Sequence, residues 1–282
     1  MYLNKKFLTK TSKISTNIYQ FGVWPPRLLT CMFHNEAHPP VLANSIPKSG
    51  TNLLLRTLCL VGGYHRLLHR TFLERNAEEF LKLSKKSRNC KIFSGHIPYS
   101  EKVSEHINSS GLFNILIVRD PRDIALSNVH YIQNIDQSHR LNKYFSSNLQ
   151  SFEQRLSASI LGVSSDDLNG LDQSMDIGWH IKRYLRWVND EKCLVIKFED
   201  LIGEQGGGST KKQIETVNKI LKHIDQDVDP IEVNKMSQFI FNRGSRTFHK
   251  GVIGQWKEKY SSQNIKDIEL VAGDCIDVLG YR

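Results

Sequence analysis

Val41-Leu42-Ala43-Asn44-Ser45-Ile46-Pro47-Lys48-Ser49-Gly50-Thr51-Asn52 is the stretch on which the fold turns. Residues 41–46 have the short apolar run of a strand, and Pro47 to Gly50 break it. From residue 51 to 61 the sequence TNLLLRTLCLV takes a helical pattern that Gly62-Gly63 stops. A strand, a tight loop and a helix N-terminus in that order aim backbone amides at one point, where the helix dipole favours an anion. Gly50 permits close backbone approach. Lys48 adds a point charge, and Ser49, Thr51 and Asn52 add donors. An ordinary connection with Ser49 or Thr51 as N-cap would use the same residues, and this stretch alone leaves both readings open. The loop is no Walker A motif, because Lys48 precedes the glycine; nucleoside-triphosphate hydrolysis is disfavoured.

Working outward, further strands are expected at 91–94, 114–118 and 193–198. Helices are expected at 74–86, after Asp123 to about 132, and at 177–188, 211–223, 231–241 and 264–279. His65 and His69 stand at i,i+4, as on one face of a helix. They have no third ligand nearby, so a packed or solvated pair is expected rather than a metal site. The polar stretch 136–174 reads as loops and short helices over a site. Strands alternating with helices predict an α/β fold, a single domain with a central parallel sheet flanked by helices. Ligands of such sheets sit at the carboxyl ends of the strands. The expected division is an irregular basic arm over 1–40 and the α/β domain over 41–282.

Two more stretches carry chemistry. Ile115-Leu116-Ile117-Val118 is an apolar run that ends in Arg119-Asp120-Pro121-Arg122-Asp123, and Ser127 follows eight residues after Arg119. A guanidinium fork and a hydroxyl at a strand's carboxyl end can clamp a phosphate; an Arg–Asp ion pair would use the same residues. Thr247-Phe248-His249-Lys250-Gly251-Val252-Ile253-Gly254-Gln255-Trp256-Lys257 combines glycines, bases and a Trp, as suits a mobile basic lid or a surface loop with a packing anchor.

The 282 residues hold 38 Lys and Arg against 29 Asp and Glu, a net +9. That implies an anionic partner. The bases are scattered, so an anion pocket is favoured over a nucleic-acid stripe, and no nucleic-acid partner is expected. No stretch has the roughly 20 apolar residues of a membrane span, and none is expected. The five cysteines are widely spaced with no CxxC, which predicts reduced thiols, a cytoplasmic location and no metal.

Together the three motifs resemble the sulfotransferases that use 3′-phosphoadenosine 5′-phosphosulfate (PAPS), over roughly 41–260. Pro47-Lys48-Ser49-Gly50-Thr51-Asn52 is similar to that family's P-loop-like phosphosulfate loop. Arg119 to Ser127 is similar to its 3′-phosphate motif, and Phe248 to Lys257 to its C-terminal RKGxxGDWK motif. The resemblance implies PAPS as sulfuryl donor, no metal, and a small-molecule or glycan acceptor. Lys48, Ser49, Gly50, Thr51, Asn52 and Leu53 would hold the phosphosulfate. Arg119 and Ser127 would hold the 3′-phosphate, joined by His249, Lys250 and Gly251. Leu53 stands where the family often has an adenine-stacking Trp, and Phe198 where it has a Tyr near the adenine. His249 replaces an Arg, for which Arg243 or Arg246 could substitute. His96, in Ser94-Gly95-His96-Ile97-Pro98, matches the family's catalytic base, and Lys48 would stabilise the leaving group. The implied reaction is direct in-line transfer to a hydroxyl, less readily an amine. An inactive PAPS-binding homologue and a polyanion-binding protein are the alternative readings. The acceptor and oligomeric state are not implied; the family's dimerisation stretch is interrupted at Tyr260-Ser261-Ser262.

Overall fold

A computed structural model describes residues 39–60, 64–87, 91–241 and 252–282. Strand β1 (Val41–Ser45) leads through the 46–50 loop into α1 (Thr51–Leu60), as the apolar run and its break dictate. Strand β2 (His65–Leu73) follows, then a 3₁₀ turn (Glu74–Asn76), α2 (Ala77–Lys85), β3 (Lys91–His96), α3 (Glu101–Ser110) and β4 (Phe113–Val118). Helix α4 (Pro121–His130) runs on into a π-helical turn (Tyr131–Ile135), and α5 (Asn142–Ser147), α6 (Phe152–Leu161) and α7 (Ile177–Lys182) follow. After a 3₁₀ turn (Leu185–Asn189) come β5 (Cys193–Lys197) and α8 (Phe198–Leu201), then α9 (Thr210–His223) and α10 (Pro230–Ser237). The short α11 (Trp256–Lys259) precedes α12 (Ser262–Val278).

The five strands form one parallel sheet in the order β2-β3-β1-β4-β5. Side chains alternate between its faces. Val41 and Ala43 of β1 join Ile115 and Ile117 of β4 on the face covered by α1 and α9. Leu42, Leu116 and Val118 join the opposite cluster, with Ile124, Ala125 and Val129 of α4 and Ile268, Ala272 and Ile276 of α12. With helices on both faces, the inner strand β4 is a near-continuous apolar run, and β1 is buried at every position. The chain leaves β1 toward β2 and β3 on one side, then crosses to β4 and β5 on the other. The carboxyl ends of β1 and β4 therefore flank the switch point, where α/β sheets open a ligand crevice.

Two expectations need correction. Residues 65 and 69 lie on a strand, not a helix. β2 is an edge strand, and its pairing with β3 shifts register between Arg66 and Thr71. It forms because β3 offers it a parallel ladder, a non-local partner that outweighs a local helical spacing. The helix expected over 177–188 divides: Asp176 caps α7, which stops at Lys182, and a 3₁₀ turn follows. Helix α3, which the sequence reading passed over, starts at Ser100, whose hydroxyl accepts the Val103 N–H.

Candidate active site

The loop after β1 turns tightly. Ser49 N–H donates to the Ile46 carbonyl at 3.0 Å, and the Leu53 and Leu54 N–H groups return to the Gly50 carbonyl. Lys48 adopts φ +71° and Gly50 φ +103°. A Cβ at Gly50 would stand 2.5 Å from Cδ2 of Phe198, so only glycine lets the loop pass beneath that ring. Asn52 and Leu53 lie in the first turn of α1. The Ser49 hydroxyl is fully buried and has no hydrogen-bond partner among the described residues.

His96 ends β3, beside β1. Its Nδ1 lies 3.0 Å from the Ser45 carbonyl oxygen and 3.0 Å from the Ser45 hydroxyl. A carbonyl only accepts, so Nδ1 carries the proton and Nε2 keeps a lone pair. The Ser45 hydroxyl also pairs with Thr51 Oγ1 at 2.7 Å, which couples His96 to the first residue of α1. Asn44 fixes the next residue: its Nδ2 donates to the Ile97 carbonyl and its Oδ1 accepts the Ile97 N–H. Burial lowers the His96 pKa below the ordinary value; the Ser45 carbonyl opposes this, and the Lys48 ammonium adds to the lowering. The ring is therefore neutral at neutral pH.

Lys48 is half-buried, with its ammonium 3.7 Å from the centroid of the Tyr131 ring. Burial, and then the Arg119 guanidinium, bring its pKa down to about 8. Tyr131 opens the π-helical turn that extends α4, and its hydroxyl donates to Asp136 at 3.3 Å. Sequence reasoning missed Tyr131; its place twelve residues after Arg119 is the one signal it gives.

Arg119 follows β4 directly and is 8% exposed. Its guanidinium stacks 4.4 Å above Phe198 and donates through Nη2 to the Val252 carbonyl at 3.2 Å. Its Nε is buried with no partner among the described residues. The expected Arg–Asp pairing is also present, divided between two arginines. Arg122 makes a two-pronged pair with Asp120 at 2.8 Å, whereas Arg119 keeps only a 3.9 Å contact with Asp123. Asp123 instead accepts the Gly254 N–H at 2.7 Å and the Trp256 N–H at 3.2 Å, fastening the end of the third motif to the start of α4. Glu199 accepts the Asp120 N–H and the Tyr281 hydroxyl, so the far end of the chain braces the same corner. Asp123 stands in the second motif as a candidate ion-pair partner; Glu199 and Tyr281 lie outside the three motifs. Ser127 lies half-buried on α4, two turns after Arg119. His249, Lys250 and Gly251, with Arg243 and Arg246, lie outside the described residues.

At the carboxyl end of the sheet, then, stand the β1 loop with its amides and Lys48, a neutral His96 beside it, and the buried fork of Arg119 across the β1–β4 crevice. This defines an α/β protein with a P-loop-like anion site. Two buried, partnerless donor groups, the Ser49 hydroxyl and Arg119 Nε, and a loop that tolerates no Cβ fit a ligand with two anionic groups. The sulfotransferase domain family matches residues 38–273, and the chain belongs to that family. It is a sulfotransferase of the PAPS-dependent class.

Among solved structures, the chain is similar to mouse sulfotransferase SULT7A1 complexed with PAP. Identity is 16%, over 90% of this chain and 93% of that one, with a TM-score of 0.58. It is also similar to retinol dehydratase in complex with androsterone and the inactive cofactor PAP: 14% identity, 90% and 86% coverage, TM-score 0.55. At these identities the likeness is one of fold. No curated protein matches the sequence. Among the described residues, no helix is long and apolar enough to cross a membrane, and no group of His, Cys, Asp and Glu could hold a metal ion.

Proposed function

We propose that this chain moves a sulfuryl group from PAPS to an acceptor hydroxyl by direct in-line displacement, with His96 as base and Lys48 as the cation at the bridging oxygen. The observation that carries the reading is the hydrogen bond between His96 Nδ1 and the Ser45 carbonyl. It leaves Nε2 as the free base, and it ties that base to the strand whose next loop bears Lys48 and the anion-binding amides. PAPS supplies the activated sulfuryl group and the bisphosphate leaving group. His96 Nε2 takes the acceptor's hydroxyl proton as the new oxygen–sulfur bond forms. The bridging oxygen–sulfur bond breaks, and its electron pair stays with adenosine 3′,5′-bisphosphate. Lys48 and the amides of the first turn of α1 meet the charge that grows there.

Around the nucleotide, Ser49, Gly50, Thr51 and Asn52 face the 5′ end, with Leu53 and Phe198 as apolar contacts for the adenine. Arg119 and Ser127 take the 3′-phosphate, with His249, Lys250 and Gly251 completing that end. Two substitutions test the assignment in parallel. His96→Ala abolishes transfer and leaves adenosine 3′,5′-bisphosphate affinity unchanged, because the base touches only the acceptor. Arg119→Ala weakens the bisphosphate by about 1.5–3 kcal/mol and adenosine 5′-phosphate much less. Calorimetry with equal losses for both nucleotides, or a His96→Ala rate within about tenfold of wild type, overturns it.

A further inference from the structure

Beyond Lys48 and Tyr131 stands a second histidine whose tautomer is the reverse of that of His96. His139 closes the turn that follows the Tyr131–Ile135 π-helical segment: its N–H donates to the Asp136 carbonyl at 3.0 Å, and its carbonyl accepts the Asn142 N–H at 2.8 Å. Its ring meets the Tyr131 ring nearly edge-on, with centroids 6.4 Å apart, and Tyr131 in turn lies against the Lys48 ammonium. Its Nδ1 accepts the backbone N–H of Leu141 at 3.2 Å. A nitrogen that accepts cannot carry a proton, so the proton sits on Nε2. The described residues give Nε2–H no partner. Burial keeps the ring neutral, aided by Arg140 and Lys48 against the opposing pull of Asp136. One backbone bond thus turns His96 into a base, and another turns His139 into a donor that cannot serve as one.

The next residue, Arg140, leads to a polar stretch of the chain. Arg140 donates to the carbonyls of Asp172 and Gln173, just ahead of α7. On α7, Trp179 remains 39% exposed; its ring meets His180 edge-on at 5.0 Å and carries the Arg183 guanidinium at 4.5 Å. Arg183 pairs with Glu74 and accepts the Tyr99 N–H through its carbonyl. Glu74 directly follows Leu73, the register partner of His96. These contacts lead from His139 to the strand beside His96. Along them stand a hydrogen-bond donor, a charge pair and an exposed indole, groups that suit an acceptor carrying several hydroxyls.

We infer that His139 orients the acceptor by donating Nε2–H to an oxygen next to the reacting hydroxyl, and that the acceptor is a sugar-like polyol. A ring of hydroxyls supplies the neighbouring lone pair to His139, and its C–H face suits the exposed indole of Trp179. The inference rests on the sulfuryl-transfer reading above.

The test compares transfer to vicinal trans-cyclohexanediol and methyl hexosides with transfer to cyclohexanol and to a steroid alcohol. Wild type, His139→Leu and His139→Gln are used, and adenosine 3′,5′-bisphosphate binding is measured in the same samples. Wild type prefers the diol over cyclohexanol by about tenfold in kcat/KM, the worth of one hydrogen bond. His139→Leu loses that preference through KM with kcat little changed, and His139→Gln, which keeps a donor, recovers part of it. Bisphosphate affinity is the same in all three. A preference that survives His139→Leu, or a steroid alcohol used in preference to every polyol, overturns the inference while bisphosphate binding and transfer leave the reaction standing. Absence of bisphosphate binding in wild type overturns the reaction and the inference together.

Discussion

Gly50→Ala tests how the loop, the Phe198 ring and the Arg119 fork are coupled. The new Cβ falls 2.5 Å from Cδ2 and 3.1 Å from Cε2 of Phe198. Carbon atoms prefer about 3.5–4.0 Å, so the ring or the loop must move by about 1 Å. Gly50 also sits at φ +103°, where an L side chain adds about 1–2 kcal/mol. With about 1–3 kcal/mol for overpacking, the variant should be destabilised by about 2–5 kcal/mol. The Phe198 ring is also the platform beneath the Arg119 guanidinium, at 4.4 Å. Displacing it carries the disturbance to a residue proposed for the 3′-phosphate, although Gly50 itself is proposed for the 5′ end. Urea unfolding gives the first quantity, and calorimetry with adenosine 3′,5′-bisphosphate gives the second. Phe198→Leu in the Gly50→Ala background relieves the overlap and leaves the backbone strain, so the two substitutions should couple favourably by about 1 kcal/mol or more. Stability and affinity both within about 0.5 kcal/mol of wild type would refute the cradle. Strictly additive effects of the two changes would refute the route through Phe198.

The pH profile should have two limbs. His96 titrates below its ordinary range, so the base is already free at neutral pH, and a rate still climbing between about pH 7 and 8 would contradict it. Lys48 must be charged to receive the donor, so kcat/KM for PAPS should fall about tenfold per pH unit above about 8; a flat profile to pH 10 would remove Lys48 from that role. Asp123→Ala strips the acceptor from the Gly254 and Trp256 N–H groups and removes a carboxylate that is 1% exposed beside Arg119. It should cost about 3 kcal/mol in urea unfolding and speed hydrogen exchange over 252–256. Unchanged exchange there would mean that the segment is held by other contacts.

The sequence by itself determined the parts whose causes are local. The apolar run of β1, the break at Pro47 and the helical pattern of α1 lie within one continuous stretch. The same is true of the buried run of β4 that ends in Arg119. Tertiary structure decided the rest, through contacts between residues far apart in the chain. His65 and His69 are spaced as on a helix, yet they join β2 because β3 supplies the ladder. The sequence offers His96 as a candidate base. Its tautomer is set by the Ser45 carbonyl, 51 positions earlier in the chain. The steric demand on Gly50 comes from Phe198, and the anchor for Gly254 and Trp256 comes from Asp123. Local pattern fixes which segments become strand, loop or helix, because backbone sterics and amphipathic spacing act over a few residues. The proton positions and clearances on which the chemistry depends are fixed by partners that only the folded chain brings within hydrogen-bond or van der Waals reach.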